Sequence, residues 1–132
     1  MRLRNLTVVA GVEGGRLLTA DLLGANEVPG PGDPDGRGTA VVSVNPSAER
    51  LCYELTASGI APATAAHVHD GPAGAAGPIV AGLTPPADGS SSGCVAADKA
   101  LLKDIKKNPA EYYVNVHNAD FPAGAIRGQL SR

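Results

Sequence analysis

Along this chain apolar and polar residues alternate in short runs, and Gly- and Pro-rich clusters separate one run from the next. A period of two sends successive side chains to opposite faces of an extended strand, so each run predicts a strand with one face on a core. The runs are LTVVA (6–10), RLLTADLL (16–23), GTAVVSVN (38–45), LCYELTAS (51–58), ATAAHVH (63–69), PIVAGL (78–83), YYVNVH (112–117) and AIRGQL (125–130). GVEGG, between the first two, reads as a hairpin turn. In 51–58, Cys52, Glu54 and Thr56 share one face, and Leu51, Tyr53, Leu55 and Ala57 the other. The clusters VPGPGDPDGRG, DGPAGAAGP and TPPADGSSSG supply turn residues, with Ser90, Ser91 and Ser92 as loop filler. Short strands so punctuated predict an all-β fold, an antiparallel Greek-key sandwich or barrel.

One segment follows a different period. In ADKALLKDIKKNP, Ala97, Leu101, Leu102 and Ile105 share a helical face, which predicts one short helix near 97–107. Lys103, Lys106 and Lys107 suit the negative end of its dipole, and Asn108-Pro109 stops it. Its lysines read as a solvated face.

Composition narrows the function. A chain of 132 residues fits a single domain over 1–132, with 1–15 as an N-terminal extension or first strand. Aromatics are 3%, with no Trp and Phe121 alone among Phe, so the core is aliphatic and no platform exists on which bases would stack. Eleven basic residues against thirteen acidic give a net charge of -2, and nucleic acid is not an expected partner. No apolar run approaches the roughly twenty residues of a spanning helix. MRLRNLTVVAGVEGG begins like an export signal, but Glu13 interrupts it and no cleavage site follows. The chain is therefore read as cytosolic, or as exported with its leader already removed.

Cys52 falls in a strand and Cys94 in a Ser/Gly-rich loop. A bridge between them would close a loop of roughly forty residues, worth about 4 kcal/mol by loop entropy. Such a bridge would place the protein outside the reducing cytosol, and two buried thiols are the alternative.

Three stretches then stand together. LLGANEVPG near the start, AAHVHDGPAGAAGPIV in the middle and NPAEYYVNVHNADFPAGAIRGQL at the end resemble the CHRD domain, the chordin-type module that also occurs as a single-domain bacterial protein. The resemblance runs from about Leu17 to Leu130. It implies an all-β, immunoglobulin-like or Greek-key fold, usually in secreted or cell-surface proteins, and it implies little about activity.

The candidate chemistry lies in the histidines. His67 and His69, at i and i+2, project from one strand face roughly 6–7 Å apart. His117 shares a face with Tyr113 and Asn115 on the later run. If the two strands meet, three imidazoles converge on one ion, and three nitrogens with an open position suit copper or zinc. Over three residues the HVH spacing also resembles the copper site of Cu,Zn superoxide dismutases. The plainer alternative is that these histidines only knit strands together through carbonyls.

Asp70, Asn115, Asn118 and Asp120 are candidates to orient an imidazole, although Asp70 and Asp120 also suit turns. Glu27 and Arg127 sit in apolar surroundings as a candidate buried ion pair joining the first strand to the last, with Glu27 alternatively a ligand or base. Three functions follow: a metal-binding protein that carries or protects with an ion, a copper redox enzyme with Tyr113 as relay, or a structural or interaction module. Exposed edge strands would offer a route to a homodimer or a protein partner.

Overall fold

A computed structural model describes residues 15–132. The strand expected at 6–10 lies outside the described residues, as does nearly all of the turn that follows it. Beyond them the alternating runs form antiparallel strands: β1 (Arg16–Leu23), β2 (Arg37–Asn45), β3 (Arg50–Ser58), β4 (Ala63–Asp70), β5 (Ile79–Leu83), β6 (Ser90–Ala96), β7 (Tyr112–Asn118) and β8 (Ile126–Gln129). They make one sheet in the order β5-β4-β7-β8-β1-β2-β3-β6, curled into a nearly closed barrel.

The sheet edges, β5 and β6, are joined by the chain itself, and side chains bridge the seam. The Tyr53 hydroxyl donates to Thr84 Oγ1 at 3.0 Å and accepts from the Thr84 amide at 2.9 Å, while Ser91 Oγ donates to the Thr84 carbonyl at 2.7 Å. These bonds satisfy groups that an open edge would leave unpaired.

Alternation sets the core. In β1, Leu18, Ala20 and Leu22 are buried while Leu17, Thr19, Asp21 and Leu23 face out. Val42, Val44, Leu51, Leu55, Val68, Val114, Val116 and Ile126 complete the barrel interior. Removing such side chains from water stabilises the fold by about 1.5–3 kcal/mol each.

The helix α1 spans Lys99–Lys107, two residues shorter at its start than the pattern suggests. Asp98 explains this: its carboxylate accepts from the amides of Ala100 and Leu101 and so caps the first turn. Leu102 and Ile105 are buried in the barrel core, with Ala97 and Leu101 packed against it.

One segment departs from the sequence reading. Ser90–Ala96 is strand β6 and not a loop, paired with β3 from Arg50↔Ala96 to Thr56↔Ser90. Ser and Gly have weak strand preference, so tertiary pairing makes this strand. Within it Cys94 stands opposite Cys52, and the two form a disulfide across 42 residues of chain.

Replacing Cys52 and Cys94 together by Ala is expected to lower unfolding stability by about 2–4 kcal/mol. Urea unfolding followed by circular dichroism would measure it. An unchanged midpoint would show that the β3–β6 ladder holds without the bridge.

Candidate metal centre

β4 and β7 are neighbours, and their register sets His67 opposite Asn115, His69 opposite Tyr113, and Ala65 opposite His117. Opposed residues share a face, so His67, His69, Tyr113, Asn115 and His117 all stand on the outside of the barrel, backed by Val68, Val114 and Val116. β8 extends the patch, with Arg127 opposite Asn115 and Gln129 opposite Tyr113. Although outside the barrel, Tyr113, Asn115, His69 and Arg127 are buried, while His67 and His117 are half-buried. Residues 24–36, 71–78 and 119–125 supply the loops whose contacts reach this patch.

The three rings meet. His67 Nδ1 lies 3.2 Å from His117 Nε2, and one nitrogen from each ring falls within 4.8 Å of the others. A tetrahedral ion with bonds of 2.0–2.1 Å separates its nitrogens by about 3.3 Å, so one pair is already at that spacing. Closing the rest needs a shift of about 1.5 Å, within reach of side-chain rotation.

Backbone carbonyls orient two of the rings. His117 Nδ1 donates to the Pro122 carbonyl at 3.0 Å, and His69 Nδ1 donates to the Gly77 carbonyl at 2.9 Å. A carbonyl only accepts, so in the neutral rings the lone pairs sit on Nε2. His69 Nε2 lies 2.8 Å from Asn115 Oδ1, and a neutral ring donates from only one of its nitrogens, so an ion at Nε2 would have to displace that contact. Burial holds the pKa of His67 below the ordinary value, reinforced by His117 and His69. Burial and then His69 lower His117 too, against an opposing pull from the Pro122 carbonyl. Both rings are thus biased to the neutral form that binds metal.

Beside them, the Tyr113 ring is gripped from the strand on either side. His69 stacks on it with centroids 4.6 Å apart and planes at 4°, and the Arg127 guanidinium carbon lies 3.4 Å from the ring centroid. The Tyr113 hydroxyl accepts from the Gly77 amide at 3.1 Å. Arg127 Nη2 donates to the Pro72 carbonyl at 2.9 Å and to Gln129 Oε1 at 3.0 Å. Gln129 in turn donates to the Gly71 carbonyl at 3.0 Å. The 71–78 loop is therefore pinned near both ends. Gly77 permits the approach, since a Cβ there would lie 1.7 Å from the Asp70 carbonyl oxygen.

Glu27 and Arg127 are both buried, but Glu27 follows a 3-10 turn (Gly24–Asn26) rather than lying on β1. Neither of its carboxylate oxygens has a hydrogen-bond partner, nor has Arg127 Nη1. Gly124, at φ 139°, packs against the carboxylate, where a Cβ would come within 2.3 Å of Oε1. Burial raises the Glu27 pKa to about 7, because the nearby Asn115 amide and Arg127 charge pull it down by less.

Asn118 is buried on the other face of β7. It donates to the Ala61 carbonyl and accepts from the Phe121 amide, so it shapes the turn that presents Pro122. Asp70 and Asp120 are exposed, and the ring partners just described include neither. The contacts that sequence reasoning missed are the Gly77 and Pro122 carbonyls, which no side-chain pattern encodes, and Gln129. Its signal was available: it alternates with Arg127 on the last run.

Residues 18–130 match the family model of the CHRD domain. No curated protein and no solved structure matches the chain.

The Glu27 shift predicts a pH effect. A carboxyl whose pKa rises on folding contributes stability below its unfolded value of 4.5 and loses it as pH climbs through about 7. Glu27→Gln should therefore gain stability relative to the wild type between about pH 5 and about pH 8, by up to about 3 kcal/mol. Denaturant unfolding at both pH values would measure it, and a pH-independent difference would refute the assignment.

Proposed function

The chain belongs to the CHRD domain family, and from that starting point we propose that it is a small metal-binding β-barrel protein whose His67, His69 and His117 hold one copper or zinc ion. The observation that carries this reading is the convergence of one nitrogen from each ring within 4.8 Å on a rigid pair of strands. The donor set supports the choice of ion, since imidazole suits Cu and Zn better than Ca or Mg. Half-exposure of His67 and His117 gives the ion a way in. His67, His69 and His117 would hold the ion, the His67–His117 hydrogen bond would give way to it with the His67 proton on Nε2 so that Nδ1 is free, and the role would be binding and carriage. The Cys52–Cys94 disulfide supports work in an oxidising, extracytoplasmic compartment.

A second reading, a copper-dependent redox enzyme, is favoured by the Tyr113 ring stacked on His69. A phenol against a ligand ring is well placed to relay an electron or a proton.

Metal analysis of tag-free protein is expected to give one equivalent of ion, and His67→Ala to weaken binding by at least about tenfold. A copper EPR spectrum with three nitrogen ligands would fit the site, and turnover with oxygen or superoxide would select the enzyme. Stoichiometric binding that survives loss of any one histidine would sink the shared centre.

A further inference from the structure

All four lysines of the chain, Lys99, Lys103, Lys106 and Lys107, line one groove together with Arg16, Arg132, Pro46 and Ser47. The groove encloses about 540 Å³, the scale of a small-molecule site, and its lining has no acidic and no aromatic side chain. It lies where α1 packs on the barrel and shares no residue with the histidine cluster.

Several elements build it. Helical spacing puts the four lysines on one side of α1, while Leu102 and Ile105 hold another side in the core. Arg16 stands two residues before buried Leu18, in the core-facing register of β1 but exposed at its end. Arg132 Nη2 donates to the carbonyls of Lys106 and Lys107 at 3.2 and 2.9 Å, which ties it to the last turn of α1. The turn carrying Pro46 and Ser47 is fixed by Asn45 Oδ1, which accepts from Ser47 Oγ and the Ala48 amide.

Six cations gathered without a lining acid repel one another, and they concentrate anions in the space between them. Elsewhere the charge balance is reversed: of eleven basic residues, five remain to face thirteen acidic ones. We infer that this groove binds a small, free anion carrying several phosphate groups. Lysine ammonium groups act as point charges that take phosphate oxygens from any direction. With no aromatic ring in the lining, a nucleobase has nothing to stack on, which disfavours nucleic acid. A membrane surface would call for apolar side chains among the cations, and the exposed Leu17, Leu23 and Ile79 lie outside the groove.

Calorimetric titration of the intact protein with inorganic tripolyphosphate at low ionic strength tests this. Saturable binding is expected, weakened by added salt and by at least about tenfold in the Lys103→Gln/Lys106→Gln variant. Glutamine keeps helix propensity, a thermal melt without ligand checks folding, and Lys99→Gln serves as a second variant with a smaller expected loss. Arg37→Gln, an exposed arginine outside the groove, should bind as the wild type does. Absence of saturable binding, or an equal loss in Arg37→Gln, would overturn the inference. So would binding to phosphatidylglycerol vesicles or single-stranded DNA without binding to tripolyphosphate.

Discussion

Buried polar side chains on the outside of a barrel need partners as strictly as those inside one, and that requirement organises this molecule. The face of β4, β7 and β8 that turns away from the aliphatic core carries His69, Tyr113, Asn115 and Arg127, all of them buried. Loop backbone partners most of this face: Gly77 for His69 and Tyr113, Pro72 for Arg127, and, for the half-buried neighbours, Gly71 for Gln129 and Pro122 for His117. The loops stay down because they satisfy these groups. The groups are ordered because the loops stay down.

That reciprocity shapes the imidazole cluster. Rings held by fixed carbonyls present their lone pairs in known directions, so an ion would meet an arrangement that has already lost part of its rotational freedom. The ring nitrogens not held by carbonyls face Asn115 Oδ1 or each other, which gives a half-buried polar site polar partners. On the proposed reading, metal binding would be an exchange of partners within one scaffold.

Charge is distributed unevenly over the same scaffold. Glu27 is enclosed near Arg127 without a hydrogen bond to it, so its charged form is disfavoured despite a cation close by. The lysines gather instead around the groove beside α1, where solvent screens their repulsion. The two regions differ in chemistry: clustered imidazole nitrogens at one, and gathered cationic side chains at the other.

Much of the fold was legible because its signals are local. Alternation marked seven of the described strands, a 3.6-residue period marked α1, and the pairing of His67 with His69 on one face follows from strand geometry alone. The disulfide was within reach, since only two cysteines exist to join. Strand β6 was not legible, because Ser90, Ser91, Ser92 and Gly93 carry no periodic pattern and become a strand only against β3. Whether His117 joins His67 and His69 depends on β4 lying beside β7, a pairing across more than forty residues that no short pattern states. The carbonyls that orient the rings belong to loops placed by that pairing. The same holds for Arg16 and Arg132, which reach the lysines of α1 only once the barrel has formed. Sequence by itself determined the elements and the faces of their side chains, because those follow from the backbone repeat. Tertiary structure decided which faces meet, because that is set by long-range pairing and by the need to give most buried polar groups a partner.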